Sequence, residues 1–224
     1  GGCCERISVP AGNLYPARGL TVDQAASTEF LAIGAHAVDR SGVKPGQRAL
    51  VIGAGPIGLG TALFAGIAGA DVSIMDRDPA RLAFALETGI AARSIMAGDD
   101  SDAEVAAITG GEGFDLVFDA TGNRASMEGA FRRVAHGGAL VLVSVISENI
   151  TFSDPEFHKR EMTVMGSRNA TRADFERVVT AIEAGRVPLA KLITHRTSLI
   201  GAIVDLPRWN TEKTGLIKAL VEIG

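Results

Sequence analysis

From residue 48 onward the hydrophobic positions come in short, mainly apolar blocks rather than in strict alternation with polar ones. Blocks at 49–52, 72–75, 115–119, 139–144 and 162–166 have strand length, and stretches at 56–68, 79–87, 127–134 and 172–184 have helix length. Strands that are apolar on both faces must be covered on both, and strands that alternate with helices run parallel. The pattern therefore predicts an α/β fold with a doubly wound parallel sheet. Pro56 and Pro79 fall in helix first turns, and Gly69, Gly89 and Gly185 fall where helices should stop. Residues 1–30 and 168–224 lack this rhythm, apart from the helix at 172–184 and a last strand expected within 216–223.

Composition narrows the function. The chain has 224 residues with 22 Lys+Arg against 26 Asp+Glu, a net charge of −4, and its basic groups are too short to form a phosphate-tracking stripe. A nucleic-acid partner is not expected. No apolar run approaches the roughly 18 residues that span a bilayer, so no membrane segment is expected either. Cys3 and Cys4 are adjacent and supply neither a disulfide framework nor a metal-ligand spacing, which fits a cytoplasmic protein. The first ten residues have no Met and no signal-like pattern, so the sequence reads as part of a longer chain.

With glycine at 27 of 224 positions, a chance G-x-G-x-x-G is not rare, so context must carry the motif. Gly53, Gly55 and Gly58 begin where an apolar strand ends and run through Pro56 and Ile57 directly into a helix. That is the arrangement a dinucleotide pyrophosphate requires: a tight turn, a close backbone approach, and a helix start that offers free N–H groups. Asp76 ends the next strand, close to the spacing of about 20 residues at which an acid accepts hydrogen bonds from the adenosine ribose. A carboxylate there favours NAD over NADP. Arg77 could instead meet a 2′-phosphate, and Arg81, one helical turn on, could flank the ribose.

These residues and their neighbours resemble the zinc-type medium-chain alcohol dehydrogenases, above all the polyol, threonine and sugar-acid branch. The matching text includes Gln24-Ala25-Ala26, Glu29, Gly34-Ala35-His36-Ala37-Val38, Val43-Lys44-Pro45-Gly46 and the Gly53–Gly58 turn. It continues with Asp76, Arg81-Leu82, Phe118-Asp119-Ala120-Thr121-Gly122, Gly137-Gly138-Ala139-Leu140-Val141, Gly166-Ser167-Arg168-Asn169-Ala170-Thr171 and Leu192-Ile193-Thr194-His195-Arg196. The resemblance implies a Rossmann domain at 31–167, with remnants of a GroES-like catalytic domain at 1–30 and in a return segment at 168–224. An N-terminal part of about 100 residues is expected to precede it, carrying most zinc ligands.

The resemblance also implies roles. Glu29 would stand at or beside the catalytic zinc, and a helix-face carboxylate is its plain alternative. Ile57 would pack behind the nicotinamide, and Thr121, Val143, Ser144 and Val145 would lie at strand carboxyl ends beside the cofactor. Arg168 and Asn169 would line the nicotinamide end and reach toward substrate, with a helix-capping loop as alternative. His36, beside the presumed cleft, would be a catalytic candidate, although a lone imidazole there is more often a packing residue. The implied activity is hydride transfer between NAD and a secondary alcohol, polyol or sugar acid, with Zn2+ in the intact protein. The implied partners are a small alcohol or carbonyl substrate and copies of the chain in a homodimer or homotetramer, with 139–145 or 192–199 as sheet edge. A non-catalytic NAD-binding or dimerisation module is the alternative.

Overall fold

The computed structural model describes residues 2–17, 19–212 and 214–223. Helix α1 (Val22–Ser41) leads into β1 (Arg48–Ile52), α2 (Pro56–Ile67), β2 (Asp71–Asp76), α3 (Pro79–Glu87), β3 (Arg93–Met96) and α4 (Ser101–Thr109). There follow β4 (Phe114–Asp119), α5 (Arg124–Ala130), β5 (Val134–Leu142), α6 (Asp154–Lys159), β6 (Thr163–Gly166) and α7 (Arg172–Glu183). The tail adds α8 (Leu189–Leu192), β7 (Ile193–Ser198), α9 (Ala202–Thr211) and β8 (Lys218–Glu222).

Six strands form one sheet in the order β3-β2-β1-β4-β5-β6, and every neighbouring pair is parallel. The order reverses between β1 and β4, so the connections leaving those two strands diverge and open a crevice at their carboxyl ends. The uniform apolar character of the strands has its cause in two cores. Ala49, Val51, Leu116, Phe118 and Val141 join the cluster that includes side chains of α1, α2 and α7. Leu50, Ile52, Val117 and Leu140 join the opposite one, with Val105 of α4 and Ala130 of α5. Strands β7 and β8 pair in parallel as a separate two-stranded sheet.

Helix α1 is built for close packing. Thr21 and Gln24 form a reciprocal capping box at its start, and Gly42 ends it with φ +63°. A Cβ on Gly34 would lie 2.5 Å from the Thr61 backbone nitrogen, so α1 and α2 touch backbone to backbone. The boundary expected between residues 30 and 31 falls inside this helix, where Phe30 and Leu31 are both buried.

Other expectations shift. The helix expected at 127–134 is α5 followed by a 3-10 turn, and Val134 already belongs to β5. β3 and α4 lay in a stretch with no apolar block: β3 is an edge strand that buries only Ile95. The 139–145 segment is not a free edge, because β5 is paired on both sides by β4 and β6. The edges of the large sheet are β3 and β6.

Candidate functional site

The turn between β1 and α2 needs its three glycines for three different reasons. Gly53 adopts φ +99°, and its N–H donates to the Met75 carbonyl at 2.7 Å, so the chain leaves β1 in a conformation closed to other residues. A Cβ on Gly58 would lie 1.7 Å from the Gly53 carbonyl oxygen, so helix and turn fit only without a side chain. Gly55, the N-cap of α2, meets only Arg81 Nη1, at 3.7 Å from where its Cβ would be, and its outer face is open. Pro56 follows at the first helical position, where no N–H is needed.

Asp76 is bound into this turn. Its Oδ2 accepts the Ala54 N–H at 2.6 Å and its Oδ1 accepts the Asp78 N–H at 2.9 Å, tying the end of β2 to the glycine turn. Arg81 completes this flank, with Nε 3.7 Å from Asp78 Oδ2, while Arg77 is exposed. The resulting half-site offers a carboxylate beside a bare helix start, which suits a ribose diol joined to a pyrophosphate.

The other wall is organised by Asp119, whose side chain is fully buried at the end of β4. Its carboxylate accepts the Thr121 N–H at 3.0 Å, the Thr121 hydroxyl at 2.7 Å and the Ser126 hydroxyl at 2.5 Å, which fixes the loop after β4. The Asp119 carbonyl accepts the Val143 N–H at 2.9 Å, which brings the end of β5 alongside. Thr121 Cγ2 would lie 3.2 Å from a Cβ on Gly53, so the two walls meet across the β1/β4 switch. Asp119 escaped notice as a functional residue in the sequence, although its place in Phe118-Asp119-Ala120-Thr121-Gly122 marks it as a turn-former.

The structure thus gathers Gly53, Gly55, Pro56, Ile57, Gly58, Asp76 and Arg81 on one side of the crevice, and Thr121, Val143 and Ser144 at its other side. Val145 is 92% exposed in the loop beyond. Arg168 and Asn169, the latter at φ +59°, stand exposed in the short connection from β6 to α7.

One expectation needs correction. His36 is not turned toward this crevice. It sits on the half of α1 nearer the strand starts, and its Nδ1 lies 2.9 Å from Asp174 Oδ2 on α7. Asp174 is 1% exposed and also takes the Thr171 hydroxyl at 2.6 Å, the Thr171 N–H at 2.7 Å and Arg177 Nη1 at 3.1 Å. Burial alone would raise this carboxyl; the bonds from Thr171 and His36 outweigh it and hold the group below the usual range. His36 is therefore a packing residue of the α1–α7 pair. Glu29 is exposed on α1, and among the described residues no three His, Cys, Asp or Glu side chains come together as a metal site. A lone carboxylate does not fit a zinc ion, which needs about four ligands, so these residues do not make a zinc centre by themselves.

Residues 56–184, more than half of the chain, match the zinc-binding dehydrogenase family. The chain belongs to that family. Among the relatives of this chain, L-galactonate-5-dehydrogenase of Escherichia coli strain K12 is 44% identical over 199 residues, which are 88% of this chain and 58% of that protein. The (R,R)-butanediol dehydrogenase of Neisseria gonorrhoeae is 34% identical over 89% of this chain and 56% of its own length. The crystal structure of 2R,3R-butanediol dehydrogenase from Bacillus subtilis superimposes with a TM-score of 0.83 at 29% identity, covering 91% of this chain and 58% of that one. The chain thus spans little more than half the length of the relatives it matches.

Proposed function

We propose that this chain is the cofactor-binding portion of an NAD-dependent dehydrogenase that transfers hydride between NAD and a secondary alcohol of the polyol or sugar-acid class. The observation that carries the reading is the glycine turn stitched to Asp76, with Gly55 left open and Gly58 sealed. The fit to the nucleotide is specific. Asp76 Oδ1 and Oδ2 each accept one backbone N–H and keep lone pairs for the ribose diol, and the first turn of α2 faces the pyrophosphate. Bound NAD would supply the hydride acceptor. The chain itself holds the adenosine end at β2, directs the dinucleotide across the switch, and places its other end over the loop that Asp119 fixes through Thr121 and Ser126.

The catalytic zinc belongs in this reading to the intact protein, with Glu29 beside it at most. The cofactor-binding portion takes in all of α1, and residues 168–224 return toward a second domain. We place the protein in the cytoplasm. Among the described residues no helix is long and apolar enough to cross a membrane. We infer a homodimer or homotetramer, with the exposed β6 edge as the contact. Titration with NADH and NADPH, followed by nicotinamide fluorescence, tests the assignment: NADH should bind at least ten times more tightly, and failure to bind either would refute it. A module that binds NAD without turnover is the second reading. Oxidation of an aldonate or alditol by the isolated protein with NAD would exclude it.

A further inference from the structure

The connection from β5 to α6, residues 143–153, begins at the crevice and has neither helix nor strand of its own. Its first residues are held by backbone: the Asp119 carbonyl accepts the Val143 N–H at 2.9 Å and the Ser144 N–H at 3.3 Å. From Val145 to Ile150 no backbone–backbone hydrogen bond follows among the described residues, and Val145, Ser147, Glu148 and Asn149 are exposed. A stretch so poor in contacts takes its position from whatever grips its far end.

That grip is one carboxylate oxygen. Glu128 Oε1, on α5, accepts the Thr151 N–H at 2.9 Å, the Thr151 hydroxyl at 3.0 Å and the Arg124 Nε–H at 3.0 Å. Arg124 Nη1 also lies 3.7 Å from Glu148 Oε2, so the same pair reaches into the middle of the stretch. The Thr151 N–H first, and then Arg124, hold the Glu128 carboxyl below its usual range, which keeps it charged at neutral pH. Helix α5 is a firm base: Asn123 caps it by accepting the Ser126 N–H at 3.1 Å, and the Ser126 hydroxyl donates to Asp119. Both ends of the stretch are thus fastened to one unit, the near end to Asp119 of β4 and the far end to Glu128 of α5. Beyond Thr151 the chain is held independently, by Phe152 stacked on Phe131 with ring centroids 4.7 Å apart. Loss of the Glu128 carboxylate should therefore free residues 145–151 and leave α6 in place.

We propose that Glu128 is a positioning residue for the cofactor: by gripping Thr151 it orders residues 145–151, which leave the nicotinamide end of the crevice at Ser144, before the dinucleotide arrives. This rests on the dehydrogenase reading above. Glu128 touches neither substrate nor NAD and exchanges no proton; it removes an ordering cost that binding would otherwise have to meet. The adenosine end, set by Asp76 and the glycine turn, lies across the switch and does not depend on this grip. The two ends of one ligand should therefore respond differently.

The test uses the protein as its host makes it, titrated with NADH by nicotinamide fluorescence and, by calorimetry, with ADP-ribose, which keeps the adenosine, the pyrophosphate and the second ribose but has no nicotinamide. Glu128→Ala should weaken NADH binding about 3- to 10-fold and leave ADP-ribose within about twofold of the wild type. Glu128→Gln, which keeps an amide oxygen for Thr151, should recover most of the loss, and Thr151→Val, which keeps the N–H without the hydroxyl, should show a smaller loss of the same kind. An unchanged ratio of the two affinities in Glu128→Ala, or equal weakening of both ligands, overturns the positioning role. Should Glu128→Ala fail to fold, an unchanged ratio in Thr151→Val overturns it instead. A wild type that binds neither NADH nor ADP-ribose overturns the dehydrogenase reading and the positioning role with it.

Discussion

Alanine at Gly55 and alanine at Gly58 should fail in opposite ways, although the two residues belong to one motif. At Gly58 the new methyl would stand 1.7 Å from the Gly53 carbonyl oxygen and 2.9 Å from its carbon. An unstrained carbon–oxygen contact needs about 3.3 Å, so turn and helix must part by about 1.5 Å. Overpacking of this kind costs about 1–3 kcal/mol, and in a chain of this length each kcal/mol lowers the melting midpoint by about 2–4 °C. A fall of roughly 2–12 °C is expected, together with loss of NADH binding, since the displaced turn carries the N–H groups that face the phosphates. At Gly55 the backbone has φ −76° and ψ 179°, open to any residue, and the nearest atom to a Cβ is Arg81 Nη1 at 3.7 Å. Gly55→Ala should therefore keep the wild-type midpoint to within about 0.5 kcal/mol of stability. It should nevertheless bind NADH at least ten times more weakly, because the methyl fills the space into which the pyrophosphate must come. Thermal melts by circular dichroism and NADH fluorescence titrations on both variants decide the matter. Wild-type NADH affinity in Gly55→Ala, or a wild-type midpoint in Gly58→Ala, would refute the reasoning.

Asp76→Asn keeps the shape but turns one acceptor into a donor facing either the Ala54 or the Asp78 N–H. NADH affinity should fall about tenfold or more, and the preference over NADPH should shrink; an unchanged NADH/NADPH ratio would show that Asp76 does not read the ribose. Gly34→Ala puts a Cβ 2.5 Å from Thr61 N and 2.6 Å from Gly60 C, all backbone, and should cost about 1–3 kcal/mol in urea unfolding without altering the NADH site in what remains folded. Asp174→Ala removes the buried acceptor shared by Thr171, His36 and Arg177 and should cost about 1–3 kcal/mol at pH 7. Because the folded Asp174 carboxyl lies below its unfolded value, its contribution is complete above the unfolded pKa and disappears as the pH falls through the folded one. Urea midpoints of wild type and Asp174→Asn should therefore converge on acidification below about pH 4, and a gap that stays constant down to pH 2 would contradict that assignment.

The strands that carry the central sheet were legible because each is buried on both faces, which writes an apolar block into the sequence at β1, β2, β4 and β5. β3 was not, since an edge strand that buries one side chain leaves no block to read. The connection from β3 through α4 is polar for the same reason: Ser101, Val105 and Thr109 are the only buried residues of α4. α9 was hidden by Pro207 within it, a residue that ordinarily marks a helix end. The tail strands β7 and β8 pair only with one another and bury one side chain each, so their patterns are weak.

The crevice divides along the same line, between local and distant partners. The glycine turn and Asp76 could be found because their requirements are local: a strand end, a turn, a helix start and a fixed spacing to the next strand. The bond from Asp76 to Ala54 joins residues brought together only by the pairing of β1 with β2, and that pairing makes Asp76 a support of the turn besides the ribose reader proposed for it. His36 shows the opposite error. On sequence alone its helix passes a presumed cleft, but its partner is Asp174, 138 positions away, and nothing near His36 in the chain announces a buried acid. A side chain whose chemistry is set by a distant partner is assigned by topology. The residues most open to misreading are therefore those on α1, which meets α2 through Gly34 on one side and α7 through His36 on another. The connection that carries Ser167 and Arg168 ends at Thr171, whose hydroxyl and N–H are held by the very carboxylate that holds His36, so the α1–α7 joint fixes where that connection ends.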